Sequence, residues 1–218
     1  MMRRSAGFTL IEVLVAMTVM AVMAVMAWQG VDGIVRARDA NQARLEQTLR
    51  LNSVIGQWEQ DLGSIQDSGV VPAFTCDGST VRLTRRAEGG MQVVAWALRP
   101  DTTASSWWRW ASPIVTTVGD LQDSWLRTQQ FQGGEPGQLR TLEGLSAWQV
   151  YSYRAEWANC QSTGDVTPVA RPPSAPPGAD VPPVPTGQDV PRGIRIVLTF
   201  APGSGQNGSL TRDYLVKP

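Results

Sequence analysis

Apolar residues fill positions 8 to 28 almost without interruption: FTLIEVLVAMTVMAVMAVMAW carries one charge, Glu12. A helix of that length, at about 1.5 Å per residue, spans roughly 30 Å, the hydrocarbon thickness of a bilayer. Past Trp28 the composition turns polar, but a helical period persists. Val31, Ile34 and Val35 continue it; Leu45, Leu49, Ile55, Trp58, Leu62 and Ile65 then recur with Arg, Asp, Gln and Glu between them. That is an amphipathic stripe. Gly30, Gly33 and Gly56 weaken it locally, and Gly63, Gly69 and Pro72 bracket its end. The pattern predicts one helix over about residues 8–66, roughly 88 Å long. Residues 8–28 would lie in lipid or a fibre core, and 29–66 would pack on a globular domain.

From residue 70 to 218 the signals are those of strands. TVRLTRRAEGGMQVVAWAL (80–98) reads as two strands around a Gly89-Gly90 turn. AWQVYSYRAEW (147–157) alternates, with Tyr151, Tyr153, Ala155 and Trp157 on one face. GIRIVLTF (193–200) and LTRDYLV (210–216) flank a glycine-rich loop and predict a hairpin. Residues 112–141 are open: SPIVTTV suits a strand, and DLQDSWLRTQQF suits a helix or a strand. Residues 161–192 hold nine of the fifteen prolines. Proline removes ladder donors and blocks helices, so this segment reads as an extended insert before the last hairpin. In SSWWRWASP, a strand would put Trp108 and Trp110 on one face and Trp107 on the other. Core packing accounts for one of those faces; a protein interface or a ligand platform would account for the other.

Charge and composition narrow the function. Lys+Arg and Asp+Glu number 19 each, so no net field draws the chain to nucleic acid. The absence of histidine removes the commonest general base and the commonest zinc ligand. Two cysteines alone cannot complete a structural zinc site, so neither a metal nor a cofactor is expected. An enzyme would need paired carboxylates such as Asp120 with Asp123, or Asp61 with Asp67. Arg3 and Arg4 precede the apolar run, which places the N-terminus in the cytoplasm and the rest across the membrane. In a bacterial periplasm Cys76 and Cys160 could pair. Closing such a loop would stabilise by about 4–5 kcal/mol in the chain-entropy model. A secretory signal peptide or a plain anchor would also explain the apolar run. Neither explains Glu12, since an ionisable group at membrane depth marks a functional site by default.

GFTLIEVLVA, from Gly7 to Ala16, resembles the class III signal of type IV pilins and of type II secretion pseudopilins. The resemblance implies that residues 1–7 are a leader. A prepilin peptidase would cut after Gly7 and methylate the new N-terminus at Phe8. Glu12 would become the fifth mature residue and pair with the terminal amine of a neighbouring subunit. It also implies an α+β fold, with a long N-terminal transmembrane and stalk helix packed on an antiparallel sheet. Within that superfamily the chain resembles the minor pseudopilin J type. The similar stretches are RARDANQARLEQTLRLNSVIGQWEQDL, VAWAL with WWRW, GLSAWQVYSY, and the terminal VPRGIRIVLTF and GSLTRDYLVKP. The proline-rich insert and the cysteine pair depart from the type.

That resemblance implies a low-copy structural subunit of the pseudopilus tip, not an enzyme. Its partners would be the I- and K-type minor pseudopilins, with the H type a further candidate, and the major pseudopilin. Prepilin peptidase would be its processing enzyme and the inner membrane its lipid environment. Leu45, Leu49 and Ile55 are the residues expected on partner helices. The runner-up is a minor pilin of a type IV pilus, which shares every N-terminal feature.

Overall fold

The computed structural model describes residues 7–101, 104–129, 136–160 and 190–216. The expected leader, apart from Gly7, and the expected proline-rich insert, apart from residues 190–192, lie outside them. The chain divides into two units, Met1–Leu49 and Arg50–Pro218. A single helix, α1 (Leu10–Gly63), begins in the first and ends in the second.

Alanine, methionine and leucine, interleaved with valine, carry the helix through the first unit, where its apolar side chains are solvent-exposed: Leu14 is 54% and Met20 69% exposed. The polar stretch that follows is supported by i,i+4 pairs, Asp32 with Arg36 at 2.8 Å and Gln42 with Glu46 at 2.9 Å.

The second unit is an eight-stranded antiparallel sheet with a helix on each face. The strands are β1 (Phe74–Cys76), β2 (Thr80–Ala87), β3 (Gly90–Pro100), β4 (Ser105–Ala111), β5 (Gln138–Tyr153), β6 (Trp157–Asn159), β7 (Gly193–Phe200) and β8 (Ser209–Leu215). Their order is β1-β2-β3-β4-β5-β7-β8, and β6 pairs with β5 off that path. Strand alternation divides the apolar side chains between two cores. Val94 and Trp96 of β3 face the Arg50–Gly63 part of α1, where Val54, Ile55, Trp58 and Leu62 complete the larger core. Val93 and Ala95 face the other way, toward α2 (Val118–Gln129), whose Leu121 and Trp125 close the smaller core with Val71 and Trp110. DLQDSWLRTQ, which the sequence left open between helix and strand, is thus helical. Thr117 caps it, its Oγ1 accepting from the Asp120 amide at 3.2 Å and donating to the Asp120 carboxylate at 2.7 Å. SPIVTTV forms only an isolated bridge, Val115 with Met91.

Four tryptophans knit the larger core. Trp58 meets Trp96 edge-on at 5.5 Å, and Trp96 and Trp107 lie 4.4 Å apart. Trp148 reaches Trp107 at 6.1 Å. The helix must lie close to the sheet to make these contacts. At its end Gly63 admits the Tyr214 hydroxyl, which would sit 2.5 Å from a Cβ there.

The β1–β2 turn is held by Asp77, whose carboxylate accepts from the amides of Ser79 and Thr80 and pairs with Arg82 at 2.6 Å. Burial pushes the Asp77 carboxyl up, but the Arg82 charge and these donors outweigh it and hold it below its ordinary 3.8. A lowered folded value means stability that is complete above the unfolded value and is lost as pH falls through the folded one. Asp77→Asn should therefore lower the urea midpoint at pH 7, by an amount that shrinks as the pH falls through the lowered folded value of Asp77.

Candidate functional site: the N-terminal segment and its anchor on the sheet

The junction expected to be processed is accessible. Gly7 has no heavy atom within 4 Å of where a Cβ would be, and Phe8 is 84% exposed. Helix α1 starts two residues later. The amides of Glu12 and Val13 donate to the Thr9 carbonyl at 3.1 and 3.3 Å. Glu12 therefore sits in the first helical turn, where a carboxylate is favoured by the helix dipole. Thr9-x-x-Glu12 also has the spacing of a capping box. Among the described residues the Glu12 carboxylate has no hydrogen-bond or ion-pair partner. Around it the helix is apolar and unburied over a length that crosses a bilayer. Met17, Met20, Met23 and Met26 are each 65–69% exposed along this stretch.

Farther along, the residues expected to meet a partner helix separate into two kinds. Leu45 and Leu49 are 52% and 58% exposed and available. Ile55 is not. It is 6% exposed and packs within the larger core, because the same stripe that would serve a partner turns onto this chain's own sheet from residue 50. The expectation for Ile55 is corrected accordingly.

The strongest polar device of the chain lies at the sheet end of α1. Asp61 is fully buried, and five donors converge on its carboxylate. Oδ1 accepts from Arg85 Nη1 at 2.8 Å, Arg109 Nη2 at 2.9 Å and Gln57 Nε2 at 3.1 Å. Oδ2 accepts from Arg109 Nε at 2.7 Å and Trp96 Nε1 at 2.9 Å. Arg85 in turn holds Gln92 Oε1 with Nε and Nη2, and Gln92 donates to the Ser112 carbonyl at 2.6 Å. One helix residue is thus tied to β2, β3 and β4. Sequence reasoning missed this role and named Asp61 with Asp67 only as the kind of carboxylate pair an enzyme would need. The signal was there: an aspartate on the apolar stripe between Trp58 and Leu62 can be tolerated only with partners. Asp67 is occupied otherwise, accepting from the Gly69 amide at 2.9 Å, and Asp120 serves the α2 cap.

Trp107 and Trp110 do fall on opposite faces, and each belongs to a core. Trp108 is half-buried with the Arg99 guanidinium 5.7 Å from its ring centre. Cys76 and Cys160 are both 2% exposed within the larger core cluster.

Residues 2–28 match the family described as Prokaryotic N-terminal methylation motif. No curated protein matches the chain. The motif, the long apolar helix and the antiparallel sheet behind it support a type IV pilin-like protein, a pilin or pseudopilin. The motif implies processing by prepilin peptidase and assembly into pilus-like fibres. The arrangement suggests a structural subunit, with a helix consistent with a single membrane anchor.

Proposed function

We propose that the chain is a minor pseudopilin of a type II secretion system, of the J type. It would act as a structural subunit of the pseudopilus tip that primes the fibre and helps export folded proteins across the outer membrane. The observation that carries the pilin-like part of this reading is Glu12, without a hydrogen-bond or ion-pair partner among the described residues, four residues past Phe8 on an unburied apolar helix; the J type rests on the resemblance of VAWAL with WWRW, GLSAWQVYSY and the terminal hairpin. A carboxylate in lipid needs a counter-charge, and cleavage at that junction creates one, the Phe8 amine, on every subunit. Before assembly the chain sits in the inner membrane with its N-terminus cytoplasmic and its sheet domain periplasmic. There Cys76 and Cys160, members of one buried cluster, form a disulfide that thiol titration with and without reductant detects.

Mass spectrometry of the mature protein should find Phe8 at the N-terminus, carrying one methyl group. A start at any other residue overturns the reading. Co-purification with the I- and K-type pseudopilins separates it from a minor pilin of a type IV pilus, which would be recovered with pilus subunits instead. Exposed Leu49 supplies the contact. Leu49→Glu should leave the urea midpoint unchanged and reduce recovery of the I-type partner on the order of tenfold, the loss of one well-packed interface side chain.

A further inference from the structure

Strand β8 closes one end of the sheet with seven residues, whereas β1 at the other end of the strand order has three. Two bonds fix the phase of its ladder: Phe200 N to Gly208 O at 3.0 Å and Val216 N to Arg192 O at 3.0 Å. With the β7–β8 register free of shifts, the even-numbered residues 210, 212 and 214 bond inward to β7. Ser209, Thr211, Asp213 and Leu215 therefore turn their N–H and C=O groups outward, away from the sheet. Exposed edges are ordinarily blunted by proline, a bulge or a charge standing on the edge. Here the strand has no proline and no bulge, its carboxylate is drawn back, and the one charge left standing on it is Arg212. Arg195 on β7 clamps Asp213 with two bonds, Nε to Oδ1 at 2.6 Å and Nη2 to Oδ2 at 2.7 Å. Leu215 beside it is 75% exposed.

We propose that the outer edge of β8 is a docking site for an extended strand of a different protein, added antiparallel, with an acidic residue opposite Arg212 and an apolar residue opposite Leu215. The backbone groups of Thr211 and Asp213 call for an extended chain, since only that shape presents donors and acceptors at their spacing. Charge selects its sequence. Arg212 is exposed and, among the described residues, has no acidic partner. A second copy of β8 cannot supply one. In an antiparallel pair the outward-bonding residues face each other, so odd positions meet odd and even meet even. Arg212 of one copy would then face Leu210, Arg212 or Tyr214 of the other, and never Asp213. The partner strand carries an apolar residue and, three positions later, Asp or Glu. This inference stands on the sheet edge alone and does not depend on the secretion reading.

The test uses the full-length chain in detergent micelles and an acetylated, amidated threonine-rich strand peptide with Val and, three residues later, Glu. The peptide should slow amide hydrogen exchange at Thr211 and Asp213. Lys in place of Glu should weaken binding about twofold to fivefold, the range for a cross-strand ion pair, and Arg212→Glu should reverse that preference. Thr211→Pro removes an outward N–H without touching the ladder to β7, and should abolish binding with the Trp fluorescence of the core retained. No slowing at Thr211 and Asp213, equal affinity for the Glu and Lys peptides, or unweakened binding to a folded Thr211→Pro chain would each overturn the proposal. So would concentration-dependent protection of the edge without peptide, which would mean a second copy. Arg212→Glu keeps the test decisive should the proline variant lose its fold.

Discussion

Asp61→Asn should destabilise the sheet domain by about 3–5 kcal/mol, the cost of leaving buried charge uncompensated. The substitution conserves shape but removes the counter-charge of two guanidiniums whose side chains are only 17% and 14% exposed, Arg85 and Arg109. The amide also presents NH₂ where the carboxylate accepted, so at least one of the five donors meets another donor. A urea titration followed by tryptophan fluorescence measures this, because Trp58, Trp96 and Trp107 lie in the core on which Asp61 sits. The second variant tells what the cluster is for. Replacing Asp61 by Leu together with Arg85 and Arg109 by Met removes both charges but leaves the buried Trp96 Nε1–H and the Gln92 Oε1 without these partners. The triple variant should therefore be more stable than Asp61→Asn and fall short of the parent by about 1–3 kcal/mol for each orphaned group. A loss below about 1 kcal/mol for Asp61→Asn would mean that the arginines are solvated and the cluster does not hold the helix.

The elements that the sequence made legible are those whose pattern is local. The helix expected over 8–66 is found at Leu10–Gly63, and the strand expected at 193–200 is β7 to the residue. The hairpin of 80–98 turns where Gly89 and Gly90 sit, Gly89 with φ of 87°. Strand β5 was legible only in its second half. Its first half runs through a register shift between Leu145 and Ala147 beside Gly144, whose φ is 76° and where a Cβ would meet Ser204 at 2.5 Å. A bulge breaks the two-residue alternation on which strand reading depends, and the glycine is needed for the approach of the β7–β8 loop. Helix α2 was ambiguous because its buried face, Leu121, Ser124, Trp125 and Thr128, mixes apolar and polar residues. The site divides the same way. Gly7, Phe8 and Glu12 form one contiguous motif and could be read directly. The arginine partners of Asp61 lie 24 and 48 residues away, so only the fold brings them to it. Ile55 was assigned to a partner because a single apolar stripe cannot say which stretch faces its own domain.

Glu12→Gln should behave like Glu12→Ala: cleaved and methylated at Phe8, yet lost from the assembled fibre. The pair of variants separates two roles that one position can serve. In a capping box over Thr9-x-x-Glu12, a bond the structure does not show formed, the side chain would accept from the Thr9 amide, which glutamine does as well as glutamate. As counter-charge to a neighbouring subunit's ammonium the side chain must be ionised, and glutamine fails. The second role carries more free energy. An unpaired charge at membrane depth costs about 3 kcal/mol, on the order of a hundredfold in an assembly equilibrium, against a few tenths to one for an exposed cap. Glu12→Asp should recover part of the assembly, since it keeps the charge and shortens the reach. The measurement is the fraction of each variant recovered in the assembled pilus-like fibre after membrane solubilisation, normalised to mature protein identified by its Phe8 N-terminus. A Gln variant that assembles at the parent level would assign Glu12 to the helix cap. The apolar segment would then be an anchor whose carboxylate never meets the amine.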